Sequence, residues 1–157
     1  MKKKEVKEKI CRVIDENSEK IIALAKEIEA KPELGYKEFK TSKKIANFFD
    51  ELGLSYKEEL SITGVKANLK EKTNGPNIAI LGELDGVICF DSPKADKETG
   101  ASHTCGHHLQ MAAMLGSVIG LKKSKIEDNL DDNVTFMSVP SEEYIEFLEG
   151  CFERKVN

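Results

Sequence analysis

Apolar side chains recur at helical spacing between Glu5 and Ala30, at Val6, Ile10, Val13, Ile14, Ile21, Leu24, Ala25 and Ile28. The spacing predicts one or two amphipathic helices, broken near Asn17-Ser18, with Ser18 placed to cap the second. Lys31-Pro32-Glu33-Leu34-Gly35 predicts a turn. From Thr41 to Leu52 the pattern returns with Ile45, Phe48, Phe49 and Leu52, and Gly53 stands where a helix C-terminal cap is expected. Residues 65–69 alternate, as a half-buried or edge strand does. Asn74-Gly75-Pro76 is a turn, and residues 78–82 form a nearly continuous apolar run that predicts a buried central strand. Asp91 to Ala101 is polar, with Pro93 and Gly100, and reads as a loop. Leu109 to Lys123 is rich in Ala, Leu and Met and predicts a buried helix. A second buried strand follows at residues 134–139, and a short helix-like stretch from Glu142. This order of helices and strands predicts a layered α/β domain. A chain of 157 residues is long enough to bury one core.

Composition changes this picture little. The chain is 39% hydrophobic and 33% charged, ordinary for a globular domain. A net charge of -4 argues against a nucleic-acid partner, whose binding surfaces carry a basic excess. Lys2, Lys3 and Lys4 are followed by Glu5 and Glu8, which predicts a solvated helix face. The longest apolar run, residues 111–121, is interrupted by Gly116, Ser117 and Gly120 and falls short of the ~18 residues a membrane span needs. No apolar stretch follows the basic N-terminus, so no signal peptide is predicted and a cytoplasmic protein without a membrane partner is expected. Cys11, Cys89, Cys105 and Cys151 are widely spaced with no CxxC pair, which predicts free thiols or metal ligands in a reducing compartment.

The chemistry concentrates in one place. All three histidines fall within six residues, in Ser102-His103-Thr104-Cys105-Gly106-His107-His108. Imidazole and thiolate make a good ligand set for zinc and its neighbours. Cys105 and His107 can reach one ion only across a tight turn, which Gly106 permits. Glu142-Glu143 follows the strand at 134–139, and Glu83 and Asp85 follow the run at 78–82. All of these groups are expected at strand C-terminal ends or at a helix start, where ligands bind open α/β sheets. The helix N-terminus should favour the Cys105 thiolate. Bland readings stand beside each: a core thiol for Cys105, a helix-start acid pair for Glu142-Glu143, a turn residue for Asp85, a helix-face residue for His108.

Together, Glu83-Leu84-Asp85-Gly86, His103-Thr104-Cys105-Gly106-His107-His108-Leu109 and Val139-Pro140-Ser141-Glu142-Glu143 resemble the metal-dependent amidohydrolases related to aminoacylase and carboxypeptidase. The nearest branch is that of aminobenzoyl-glutamate and hippurate hydrolases. Pro32-Glu33-Leu34-Gly35-Tyr36-Lys37-Glu38 is similar to that branch's N-terminal signature, and the likeness runs from about Glu27 to Tyr144. The resemblance implies a three-layer α/β/α zinc-peptidase-like catalytic domain. It implies one or two divalent transition metal ions, zinc or manganese, held by Cys105, His107 and Glu143. Glu83 falls where related enzymes place a further ligand. Glu142 would be the general base, and Asp85 the carboxylate that orients the site. The implied substrate is an N-acyl amino acid or dipeptide. The chain departs from the branch in two places: Gly86-Val87-Ile88 stands in place of Ala-Leu-Pro, and His108 in place of Asp or Asn.

Members of that family are more than twice as long and carry an inserted lid domain. The resemblance therefore implies that residues 1–157 form the N-terminal portion of such a catalytic domain, incomplete and without the lid. The absent part would supply a further histidine ligand and a histidine that stabilises the oxyanion. A weakly active or inactive chain that self-associates through uncovered surface is expected. A non-catalytic metal-binding or interaction fragment remains an alternative, as does a thiol hydrolase with Cys105 as nucleophile and His107 or His103 as base.

Overall fold

A computed structural model of the chain describes residues 2–70, 75–126, 130 and 132–143. Three helices come first: α1 (Lys3–Glu16), α2 (Ser18–Glu29) and α3 (Phe39–Glu51). The expected break falls at Asn17, whose side-chain amide donates to the Val13 carbonyl and so closes α1. Ser18 is the first residue of α2 rather than its cap; Asn17 holds the cap position, and its side chain makes no bond to the N-terminus of α2. Gly53, at φ +64°, turns the chain out of α3 as expected, and its N–H meets the Asp50 carbonyl.

Strands β1 (Tyr56–Leu60), β2 (Gly64–Lys70) and β3 (Asn77–Glu83) follow. Next come β4 (Val87–Ile88), β5 (Ala101–Ser102), a 3-10 turn at His103–Cys105, α4 (His107–Lys123) and β6 (Asn133–Val139). The main sheet runs β1-β2-β6-β3; β3 lies parallel to β6, and the other pairs are antiparallel. Strands β4 and β5 form a separate antiparallel pair, and the stretch between them is the predicted loop.

Ala67 of β2, Phe136 of β6 and Ile80 of β3 lie in register across the sheet, and with Val65 and Val134 they join one core with the helices. Within that core are Ile45, Phe48 and Phe49 of α3 and Met111, Met114 and Leu115 of α4. Helix α4 is apolar nearly all round because it is covered twice. A side chain on Gly82 of β3 would collide with Met111, and one on Gly120 would collide with Ile14 and Ile10 of α1. The α/β class is as expected, and the described helices cover one face of the sheet.

Strand β3 corrects the sequence reading. Its run predicted a central strand, yet it stands at the edge of the described sheet, and Ile78 and Leu81 are 52% and 53% exposed. The central place belongs to β6, where Phe136 is fully buried. A continuous apolar run signals two faces that can be covered, and the described residues cover one. The charged strand β1 was not predicted: Tyr-Lys-Glu-Glu-Leu has no alternation, and its pairing to β2 is made by backbone. Of the helix expected from Glu142 onward, Glu142 and Glu143 form a turn, and the rest lies outside the described residues.

A candidate metal centre at the ends of two parallel strands

Because β3 and β6 run parallel with Glu83 opposite Val139, the acids that follow them emerge side by side. The start of α4 faces the same edge. Gly106, at φ +95°, takes a left-handed conformation that turns the chain from the 3-10 turn into α4. Cys105 and His107 thereby point at one spot, as the spacing required.

His107 is the hub. Its Nδ1 lies 2.8 Å from the Asp85 backbone oxygen. A carbonyl can only accept, so Nδ1 carries a proton and Nε2 is the nitrogen turned toward the carboxylates, where it would give its lone pair to a bound ion. That Nε2 is 2.9 Å from Glu83 Oε2 and 3.7 Å from both Glu142 Oε2 and Glu143 Oε1. Asp85, 1% exposed, accepts the Glu143 backbone N–H at 3.0 Å through Oδ2. Its Oδ1 is 3.4 Å from His107 Nδ1, buried, and without a hydrogen-bond partner among the described residues. Cys105 Sγ lies 3.9 Å from the Asp85 carbonyl oxygen.

Two trios bring one ligand atom each to within 4.8 Å of the others: Cys105, His107 and Glu143, and Glu83, His107 and Glu142. Four carboxylates and a thiol thus gather about one imidazole. Such crowding of acceptors is repulsive unless a cation lies among them. The mixed sulfur, nitrogen and oxygen donors suit a divalent transition ion, and the orphaned Asp85 Oδ1 fits the same conclusion. All six expected site residues, Glu83, Asp85, Cys105, His107, Glu142 and Glu143, are therefore brought together.

One expectation fails in detail. Burial, and then the negative charge of Glu143 and Asp85, raises the Cys105 thiol above its ordinary value, against the lowering from the His107 backbone N–H. The helix start is outweighed, and a raised thiol works against Cys105 as a nucleophile. His103 does not join the cluster. It is 5% exposed, neither ring nitrogen has a hydrogen-bond partner among the described residues, and it packs on His108 with ring centres 5.5 Å apart. Burial, helped by His108 and His107, pulls its pKa down to about 4. His108 faces Glu29, with Nε2 3.7 Å from its carboxylate, as a helix-face residue would.

Sequence reasoning missed Gln110. One turn after His107, its amide donates to Glu83 Oε2 at 2.9 Å and its carbonyl accepts the Glu83 backbone N–H at 2.7 Å. The i, i+3 spacing from His107 was the available signal. It also missed Glu33, which caps α3 by accepting the backbone N–H groups of Lys40 and Thr41.

No protein-family model matches the chain. Among curated proteins, the chain is 30% identical over 126 residues to the N-acetyl-L-cysteine deacetylase of Bacillus subtilis, which covers 78% of this chain and 30% of that protein. It is 29% identical over 140 residues to thermostable carboxypeptidase 2 of Saccharolobus solfataricus, covering 87% of this chain and 35% of the relative. The solved YXEP protein of Bacillus subtilis, described as a dinuclear metal-binding peptidase of the M20 family, superposes with a TM-score of 0.67 at 30% identity. That match covers 79% of this chain and 35% of the other. The chain spans about a third of the length of the relatives it matches. On these sequence and structural likenesses the chain belongs to the M20 amidohydrolase and peptidase family.

Proposed function

We propose that this chain carries the metal-holding part of an amide-bond hydrolase that acts on N-acyl amino acids or dipeptides. The observation that carries the reading is the convergence of Glu83, Glu142 and Glu143 on the one open nitrogen of His107. In this reading Cys105, His107 and Glu143 hold a zinc or manganese ion, and Glu83 serves a second ion. A bound ion would polarise the scissile carbonyl and lower the pKa of water toward ~7. Glu142 takes the proton from the attacking water at its side-chain oxygen and delivers it to the leaving amine. The division between the two glutamates follows their settings. Glu142 has the more exposed side chain, 49% against 30%, and the Glu143 backbone is tied to Asp85. Asp85 fixes both Glu143 and the His107 tautomer.

We further propose that residues 1–157 form the N-terminal portion of the catalytic domain. The 157-residue chain alone is then a poor catalyst. Its three histidines are His103, His107 and His108, and two of them face away from the carboxylate cluster. No second imidazole completes the ion's shell or meets the oxyanion, and one lost oxyanion donor costs ~100- to 1000-fold in rate. The apolar side chains of Ile78, Leu81, Ile88 and Phe90, each 47% to 65% exposed, favour self-association. The free thiols Cys11, Cys89 and Cys105 suit a reducing, cytoplasmic setting. Among the described residues no helix is long and apolar enough to cross a membrane.

The test is hydrolysis of a panel of N-acyl amino acids and dipeptides with added zinc, manganese or cobalt, with and without chelator. Slow, chelator-sensitive turnover is expected. Turnover of ~1 per second or faster, in the usual enzyme range, would overturn the claim of weak activity. Activity indifferent to chelator would overturn the metal.

A further inference from the structure

Glu38 is a carboxylate with no exposure at all. Its partners include the Thr63 hydroxyl, which donates to Oε2 at 2.7 Å, and the Ser141 backbone N–H, which donates to Oε1 at 2.9 Å, beside the backbone N–H groups of Tyr36 and Glu38 itself. Burying a carboxylate against neutral donors is costly, and here it raises the carboxyl above its ordinary range. Helix capping does not account for the burial. Glu38 occupies the N-cap position of α3, yet its side chain makes no cap bond there. Glu33 caps that helix instead. One oxygen of the Glu38 carboxylate is spent on a residue 103 positions away in the chain.

Ser141 immediately precedes the glutamate pair. It has φ +53°, a left-handed conformation unusual for a residue with a side chain, and its hydroxyl is buried without a partner among the described residues. Conformations of this kind persist only where their surroundings impose them. Two contacts do so. The first is the Glu38 bond to its N–H. The second is Gly35, where an added Cβ would fall 2.5 Å from Ser141 Oγ and 3.1 Å from its Cα. The same segment also grips the other acid-bearing turn: the Glu33 carbonyl accepts the Gly86 N–H at 2.8 Å, and Leu34 bridges to Gly86.

We propose that residues 33–38 clamp the two turns that carry the acids, and that Glu38, acting through Ser141, is the positioning residue that aims Glu142 and Glu143 at His107. The inference rests on the reading of those glutamates as the site, and it assigns the Pro32 to Glu38 signature a task that helix capping leaves unexplained. A glutamine at position 38 keeps both bonds, because its carbonyl can accept from Ser141 and its amide can donate to the freely rotating Thr63 hydroxyl. A leucine keeps neither.

The experiment compares the full chain with Glu38→Leu, Glu38→Gln and Gly35→Ala by two readouts. One is cobalt(II) affinity, followed in the visible and near-ultraviolet spectrum. The other is hydrogen exchange at the Ser141 and Glu143 amides, measured against the Lys57 and Lys66 amides of β1 and β2. Glu38→Leu should weaken cobalt binding about 10- to 100-fold, the usual effect of removing a group that orients a ligand. It should speed exchange at Ser141 and Glu143 about tenfold or more and leave β1 and β2 unchanged. Glu38→Gln should restore both readouts to within a few-fold of the parent, which a general loss of stability would not allow. Gly35→Ala, which displaces Ser141 directly, should act like Glu38→Leu and carries the comparison if that variant does not fold. Unchanged exchange at Ser141 and Glu143 in Glu38→Leu, or in Gly35→Ala should the leucine variant not fold, overturns the clamp, whatever the cobalt result. Loss of protection with rescue by glutamine, in a parent chain that binds no cobalt, upholds the clamp and defeats the metal reading instead.

Discussion

Replacing Asp85 by Ala isolates the group on which the site's geometry turns. Its carboxylate accepts the Glu143 backbone N–H at 3.0 Å and lies 3.4 Å from His107 Nδ1. Truncation leaves that N–H without its acceptor and frees Glu143 to rotate away from His107. A hydrogen bond to a charged group contributes about 1.5–3 kcal/mol. At 1.36 kcal/mol per decade that is about 10- to 150-fold in metal affinity, if the lost bond weakens the bound state alone. The Asp85 carbonyl that sets the His107 tautomer is backbone, so Asp85→Ala should not abolish binding. The measurement is competition for zinc against a chromophoric chelator, with Asp85→Asn beside it. The asparagine can still accept from Glu143 but has lost the charge, and should fall between parent and alanine. Zinc affinity within about twofold of the parent in Asp85→Ala would refute the claim that Asp85 orients the site.

Other expectations follow from the same geometry. Glu142→Gln should keep the ion and lose whatever hydrolysis the chain shows, while Glu143→Ala should lose both; the opposite pattern, in metal analysis paired with the amidase assay, would reverse their roles. Phe136→Ala, at a fully buried position of the central strand, should cost about 3–5 kcal/mol in urea unfolding, a large share of the ~5–15 kcal/mol that holds a domain of this kind folded. The Glu38 carboxyl is raised by burial, so the folded chain binds more protons than the unfolded one and loses stability as pH rises from the unfolded value near ~4.3 through the raised one. Glu38→Gln should remove that component, so the stability of the variant relative to the parent should grow as pH rises above about 4. A flat difference in urea midpoints would refute it.

The site was legible because its chemistry is local. Cys105 and His107 share one tight turn, and Glu83, Asp85, Glu142 and Glu143 each follow a recognisable apolar run. Once β3 and β6 pair in parallel, these pieces have one edge to share. What stayed hidden depends on distant partners. Glu38 and Thr63 are polar residues whose burial follows from contacts across the fold, and no pattern near them announces it. Strand β1 takes its form from β2, since its own side chains are charged on both faces. The Cys105 thiol was misjudged for the same reason: the helix start is visible in sequence, whereas the crowding by Glu143 and Asp85 requires the fold. The edge position of β3 reflects which surfaces the described chain covers, a quantity that hydrophobic pattern does not encode.

The most direct test of the central claim is cobalt(II) titration of the 157-residue chain, followed through the thiolate-to-cobalt absorption band, for the parent and for Cys105→Ala and His107→Ala. The proposed site predicts a saturable band in the parent. Cys105→Ala should lose the band and most of the affinity, and His107→Ala should bind at least about tenfold more weakly. A parent chain without the band, or a Cys105→Ala variant that binds cobalt with unchanged stoichiometry and affinity, would contradict it.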